Sequence, residues 1–569
     1  MSGMPVGTGL LSGLMQPAPL SLSMTIERSA TLYPGKTVTT VTSHGVTTID
    51  YRTLIENAAA LAGSLTALGV QPGDRVATFA YNSANHLAAH LAIPGMGAVL
   101  VPVNVRFSQD QIRQILAQAT PKMVLVDPDA SPIWQSVQPT GEPRPMAIPI
   151  GEASERVPAV AAPAAGPVAG GGDSRWPAPL PEDAALAICY TSGTTGEPKG
   201  VVYSHRSALL HAFAGLFADG IALRERDVVL PAVPQYHALA WGLPYSALLT
   251  GASLAFPGPH LQPSALARLI RHAAVTVISG VPTVWIALLE SLRTGRVDPD
   301  HLRTVERLYC GGAPVPASLI DGFAEYGIET IAAWGMTETS PVATYARVKT
   351  TTPVQAVERA RRSLGIPFPG IRHRVMTNNG PAPWDGATSG ELEVNGLWIA
   401  DAYYQPGAPG HRGGEDRFRT DPDGARWLRT GDIAVIDAEG YAYIVDRAKD
   451  LIRSGGESIS SVTVENALLR HPAVVEAAVV ASPHPRWGER PHAFVIVNDQ
   501  ATAEHELKGH LARCLPRWQT PDRITIVTGL PRTSVGKTDK RALREMAASA
   551  SPTRQQPGDK QSQQIRSLQ

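Results

Sequence analysis

The segment from Tyr190 to Gly200 concentrates hydroxyls, glycines and one lysine: Thr191, Ser192, Gly193, Thr194, Thr195, Gly196 and Lys199. Glycine lets the backbone turn through positive φ and bring N–H groups close to an anion, while hydroxyls donate to phosphate oxygens or ligate a metal. That combination suits a triphosphate. It is not the loop of the P-loop nucleotidases, because Lys199 precedes the last glycine rather than following it. Gly536, Lys537 and Thr538 supply only the second half of such a loop, with Pro531 where its first glycine belongs. Composition alone reads equally well as a surface turn, so the meaning of this loop depends on the segments around it.

Other segments carry side chains fit for chemistry. His237 stands with Tyr236 and Trp241 among apolar residues between Pro234 and Pro244, a setting for an organic acid with one polar end; a core histidine fits there as well. Gly311 and Gly312, followed by Ala313 and Pro314, let a flat ring lie against the backbone, although such pairs also make ordinary turns. The run Ile331 to Pro341 is more specific. Apolar residues lead through Trp334, Gly335 and Met336 to Thr337 and Glu338, which sets a hydroxyl and a carboxylate at the edge of a core strand, where Mg²⁺ and phosphate can meet them. The same pair also suits a helix start. Asp432 and Arg447 flank the turn signal Asp437 to Gly440, so a hairpin brings them side by side. A carboxylate accepts both hydroxyls of a ribose and a guanidinium binds a nearby oxygen; a simple ion pair is the plainer alternative.

These groups need a frame. The chain has 569 residues, 43% of them hydrophobic, with 50 basic and 50 acidic residues, enough for more than one globular domain and no support for a nucleic-acid partner. Cys189, Cys310 and Cys514 are far apart in apolar sequence, which reads as buried thiols of a reducing compartment and points to the cytoplasm. Met1 to Met24 is broken by Gly and Pro and lacks a basic start, which argues against a signal peptide. His90 to Val103 is interrupted by Pro94, Gly95 and Gly97 and cannot make a spanning helix. From Asp50 the apolar residues Leu54, Ala58, Leu61, Leu65 and Leu68 keep helical spacing up to Gly69; strands follow at Arg75 to Ala80, Ala98 to Val103 and Lys122 to Asp127, and Ser108 with Gln111 makes a capping box for a helix between the last two. Alternating helices and strands predict an α/β fold with a parallel sheet. Val157 to Pro181 is Ala/Pro/Gly-rich, the composition of a flexible connection, and Ser549 to Gln569 has that of a disordered tail.

Taken together and in this order, the segments resemble the adenylate-forming superfamily of acyl-CoA synthetases, luciferases and adenylation domains, from about Asp50 to Arg544. Trp334 to Glu338, Trp241 to Pro244, Ser454 to Glu457 and Pro485 to Pro491 look most like the medium- and long-chain fatty acyl-CoA ligases. The resemblance implies a large N-terminal domain over 1–448 with parallel-rich sheets and flanking helices, a small mobile α+β domain over 449–548 with its hinge at Lys449, and a tail over 549–569.

It also implies an activity and roles. An apolar carboxylic acid, most readily a medium- or long-chain fatty acid, is joined to the α-phosphate of ATP with release of pyrophosphate, and the acyl group then passes to CoA. Glu338 and Thr194 carry Mg²⁺; Lys537 neutralises charge as carboxylate meets phosphate. Thr337 holds the α-phosphate, within a segment that includes Gly335 and Met336. Gly312 to Pro314 and Trp334 sandwich adenine, Gly311 lines the acyl pocket with Trp241, Asp432 takes the ribose and Arg447 its neighbourhood. Thr191 to Gly196 and Lys199 grip the β- and γ-phosphates. His237 sits beside the reacting carboxylate, and Trp241 gates the acyl tunnel. Ser454, Gly455, Gly456 and Glu457 line the pantetheine path, and rotation of the small domain separates the two half-reactions. Ser458, where such ligases carry Trp, and Gln235, where Pro-Met-Phe is the familiar pattern, leave two alternatives open: a bulky polycyclic or aryl acid of a secondary-metabolite pathway, or a luciferase-like enzyme with another acceptor. A homodimer also stays open.

Overall fold

A computed structural model describes residues 15–43, 45–138, 145–150, 176–191, 197–406, 413–455, 457–498, 502–533 and 537–549. The phosphate-loop residues Ser192, Gly193, Thr194, Thr195 and Gly196, the glycine at 456, most of the 157–181 connection and the 550–569 tail lie outside them. The chain divides into two compact units, Met1–His373 with Glu393–Arg429, and Arg374–Leu392 with Thr430–Gln569.

The first unit contains two α/β sheets. In one, the parallel strands Glu329–Gly335, Arg307–Gly311, Val277–Gly280 and Val228–Pro231 lie side by side in that order, followed by Ser253–Phe256 and Thr37–Thr42. Helices Pro263–Ala273 and Pro282–Arg293 cover it, burying Leu266, Leu269, Ile270, Trp285 and Leu288 against Leu230, Ile278 and Leu308. Each fully buried Leu or Ile contributes about 1.5–3 kcal/mol. Trp285 is therefore a core residue. Arg307 opens the strand that ends in Gly311, and it is stapled by the buried carboxylate of Asp227, both of whose oxygens lie 2.7 Å from Nη2. Nη1 donates to the carbonyls of Ile221 and Ala222.

The second sheet pairs Arg75–Phe79 with Val99–Pro102 and Met123–Val126 in parallel, as the alternating pattern predicts. Its flanking helices have the expected signals: Asp50 caps Tyr51–Ala67 through the N–H of Thr53, and Ser108 and Gln111 form the capping box of Gln109–Ala119. At its edge, Ala185–Thr191 and Lys199–Ser204 form an antiparallel hairpin in which Thr191 is opposite Lys199, so both stand at the base of the phosphate loop.

The second unit is α+β. Strands Val474–His484 and Gly488–Val497 pair along their length, and helices Ser461–Leu468 and Glu504–Cys514 close the core with Val464, Leu468, Leu507 and Leu511. Cys189 and Cys310 are buried as expected, but Cys514 is exposed: it is the last residue of its helix, beyond the turn that buries Leu511. No helix among the described residues is long and apolar enough to cross a membrane.

Candidate active site

In open parallel sheets, ligands bind at the carboxyl ends of the strands. In the first unit those ends carry, from neighbour to neighbour, Trp334 with the turn to Glu338, then Gly311 to Pro314, then Gly280, then the segment leading to His237. The sequence-predicted residues for adenine, phosphate and acid thus fall on adjacent strand ends. Gly311 has to be glycine here, since a Cβ would stand 2.5 Å from the carbonyl oxygen of Ala333 on the next strand.

Thr337 and Glu338 occupy a short 3₁₀ turn, Thr337–Thr339, directly after the strand. The turn is closed by the N–H of Met336, which donates to Thr339 Oγ1 at 2.8 Å and to the carbonyl of Pro341 at 3.0 Å. That carbonyl sits where a Cβ on Gly335 would be, 1.8 Å away, so only glycine permits the fold-back. Tyr203, from the hairpin strand after Lys199, donates its buried hydroxyl to the carbonyl of Thr337 at 2.7 Å. Thr337 and Glu338 are both buried.

A segment that sequence reasoning passed over completes this part of the site. Ser340 Oγ donates to the carbonyl of Trp398 at 2.7 Å, the N–H of Ala400 to the carbonyl of Glu338 at 2.7 Å, and the N–H of Tyr404 to the carbonyl of Gly200 at 2.8 Å. Between these anchors Tyr403 donates its hydroxyl to Glu338 Oε1. Burial, then the adjacent carboxylate, push the Tyr403 phenol above its usual range. The ammonium of Lys199 lies 5.0 Å from the centre of the Tyr403 ring. No sequence motif announced this residue; its only signal is a pair of tyrosines ahead of Pro406.

Glu338 has no ammonium or guanidinium partner within ion-pair distance among the described residues, and its Oε1 accepts the Tyr403 hydroxyl. A buried carboxylate needs a cation or several donors, so Glu338 fits a divalent ion that brings its own charge. Among the described residues there is no cluster of three or more His, Cys, Asp or Glu.

Around His237 the backbone is unusual. Ala238, Leu239, Ala240, Trp241 and Gly242 all have positive φ, between 44° and 68°, a left-handed turn that L-residues rarely adopt. It presses Gly242 against His211, whose Nδ1 would stand 2.6 Å from a Cβ at 242. His211 accepts the N–H of Val342 on Nε2 and is held near pKa 3 by burial. Gln235 is fully buried: its N–H donates to Asn82 Oδ1 at 2.6 Å and its Oε1 accepts the N–H of Ser83 at 2.8 Å.

In the second unit, Asp432 and Arg447 are partners across antiparallel strands, 3.1 Å from Nε to Oδ1. Lys537 pairs with Thr533, its N–H on Thr533 Oγ1 at 3.1 Å and its carbonyl accepting the N–H of Thr533 at 2.7 Å. Gly455, at φ 61°, lies under the ring of Trp487, 2.7 Å from where a Cβ would be; Ser454 Oγ accepts from Arg490 at 3.1 Å, and Glu457 is exposed on the paired strand. Lys449 is exposed, and Arg544 grips the next residue, Asp450.

Comparison with known proteins bears on the whole chain. Residues 26–404 match the family profile described as AMP-binding enzyme, and residues 463–537 the one for the AMP-binding enzyme C-terminal domain. A long-chain-fatty-acid–CoA ligase of Thermus thermophilus is 44% identical over 532 residues, covering 91% of this chain and 94% of the relative. A medium-chain-fatty-acid–CoA ligase of Ectopseudomonas oleovorans is 37% identical over 549 residues, covering 94% and 97%. The crystal structure of ATP-bound MatB from Rhodopseudomonas palustris aligns with a TM-score of 0.77 at 27% identity, covering 92% of this chain and 99% of that one. By its motifs, its strand-end site and these near-full-length likenesses, the chain belongs to the AMP-binding enzyme family.

Proposed function

We propose that this protein is an AMP-forming acid–thiol ligase of fatty acid metabolism: it adenylates an apolar carboxylic acid, a medium- or long-chain fatty acid, and passes the acyl group to CoA. The observation that carries this reading is the buried Glu338 carboxylate, without a cationic partner among the described residues, on a turn at parallel strand ends shared with Gly311 to Pro314 and the His237 segment. Likeness to ligases of Thermus thermophilus and Ectopseudomonas oleovorans named for long- and medium-chain fatty acids supports the choice of acid.

A carboxylate is a poor electrophile, and bringing it to the α-phosphate sets two anions together. Mg²⁺, when bound, would supply positive charge at the phosphates. Glu338, with Thr194, would hold the ion; Thr337 donates to the α-phosphate; Trp334 and Gly312 to Pro314 enclose adenine. Thr191, Ser192, Gly193, Thr195 and Gly196 cradle the β- and γ-phosphates, and Lys199 adds a positive charge at the base of the loop. His237 orients the attacking carboxylate beside the wall built by Trp241. Asp432 takes the ribose hydroxyls with Arg447 beside them, Lys537 stabilises the developing charge, and Ser454 to Glu457 guide the thiol. Lys449 is the pivot between half-reactions, and 449–548 the domain that turns. The cytoplasm is the compartment this reading expects, and a homodimer the assembly to measure by light scattering.

The test is purified protein with ATP, Mg²⁺, CoA and a panel of straight-chain, aryl and polycyclic acids. Acid-dependent pyrophosphate release, greatest with straight chains and followed by thioester formation, is the expected result. No acid-dependent release with any member would sink the reading.

A further inference from the structure

We infer that Tyr403 is a positioning residue for the Glu338 carboxylate, holding Oε1 so that Oε2 is presented to the divalent ion; this rests on the reading of Glu338 as a metal ligand. The hydroxyl of Tyr403 donates to Oε1 across 65 residues of chain, and both side chains are buried. The phenol is itself fixed. Its backbone bridges to Gly413, with the N–H of Tyr403 on the Gly413 carbonyl at 3.1 Å. Its ring meets Phe418 edge-on at 6.0 Å. Gly414, at φ 73°, approaches so closely that a Cβ there would lie 2.4 Å from the ring. The backbone of Glu338 is held independently by the N–H of Ala400. A carboxylate with one oxygen pinned and its main chain clamped loses most of its rotational freedom, so its other oxygen meets an ion without reorganisation.

The same ring lies beneath the ammonium of Lys199, 5.0 Å from its centre. One aromatic side chain therefore ties the carboxylate to the lysine at the base of the phosphate loop. The face of the ring attracts the cation and the hydroxyl serves the anion, two interactions that a single substitution can separate. Partners that orient a metal ligand typically govern affinity by 10–100-fold.

Tyr403→Phe removes the donor and keeps the ring over which Lys199 sits. The measurement is binding of Mn²⁺·ATP to the full chain, read by the electron paramagnetic resonance of free Mn²⁺, beside ATP binding in EDTA and a thermal melt. The expected result is Mn²⁺·ATP affinity weakened roughly 10-fold, with ATP binding in EDTA unchanged. Glu338→Gln runs in parallel and is expected to weaken Mn²⁺·ATP binding at least as much. Unchanged affinity in Tyr403→Phe while Glu338→Gln weakens it overturns the role of Tyr403. Unchanged affinity in both overturns the metal-ligand reading of Glu338 and the inference with it. Should Tyr403→Phe melt early, Phe418→Leu loosens the packing of the ring without removing the hydroxyl; Mn²⁺·ATP binding weakened in Tyr403→Phe and kept in Phe418→Leu supports the hydroxyl, and equal loss in both overturns it.

Discussion

Arg447 stands directly opposite Asp432 on the neighbouring antiparallel strand, with Nε 3.1 Å from Oδ1. The carboxylate is almost wholly enclosed while the guanidinium is half-exposed, so the two contribute unequally. Charge held at the exposed end of a pair is screened by water and worth little to stability; the enclosed carboxylate is the costly group. Asp432→Asn is expected to raise the KM for ATP by roughly 10-fold or more, in line with the 1.5–3 kcal/mol of hydrogen bonds to a charged group. Arg447→Ala should raise it less. A steady-state ATP titration of both variants decides it: an unchanged KM in Asp432→Asn reduces the pair to a structural ion bridge.

The turn at Gly335 to Pro341 admits no side chain at its first residue. A Cβ at Gly335 would sit 1.8 Å from the Pro341 carbonyl, a clash with backbone that no rotamer relieves. Gly335→Ala is expected to displace Thr337 and Glu338 and to cut pyrophosphate exchange by 100-fold or more. Gly242→Ala works differently. It adds the αL penalty of about 1–2 kcal/mol to a clash with the His211 ring. Denaturant unfolding should show at least that loss, and the KM for the acid should rise because the same turn carries Trp241.

Some of this was legible in the sequence. The Asp437 to Gly440 turn signal brought Asp432 to Arg447, and Ser108 with Gln111 marked a helix start, because each is a contact between residues a few positions apart whose side chains dictate the local backbone. Tyr403 was not legible. Its partner is 65 residues away, and which tyrosine reaches which carboxylate depends on how the hairpin after Lys199 and the Thr337 turn are both hung on the Trp398 to Tyr404 segment. The left-handed turn from Ala238 to Gly242 contradicts local preference at four residues with side chains, so no propensity argument finds it; it ends with Gly242 packed tightly against His211.

Buried histidines give the first unit an acid limit. His86 and His205 are held near pKa 4 and His211 near 3 by burial. The folded values lie below the unfolded value of about 6.5, so the unfolded chain binds more protons, and the stability these neutral rings allow is complete above about pH 6.5 and lost as pH falls towards 4. Unfolding free energy should drop by about 2 kcal/mol per ring between pH 7 and pH 5. His211→Gln should lower stability at pH 7 yet flatten that dependence by about the contribution of one ring. Chemical denaturation at the two pH values measures both; an undiminished slope in the variant would show that His211 takes no part.

Lys537 offers the cleanest separation of chemistry from binding. Thr533 engages the main-chain N–H and carbonyl of Lys537, so Lys537→Ala leaves those contacts in place and removes only the side chain. If the ammonium stabilises charge developing between carboxylate and phosphate, its removal acts on the transition state of adenylation and not on ground-state ATP binding. The expected outcome is acid-dependent pyrophosphate exchange reduced by 100- to 1,000-fold, the range for losing one preorganised electrostatic group, with ATP affinity kept. Thioester formation from supplied acyl-adenylate and CoA should persist, because that step no longer makes the bond between carboxylate and α-phosphate. Equal loss in both half-reactions would instead assign Lys537 a structural part, and unaltered adenylation would remove it from the site.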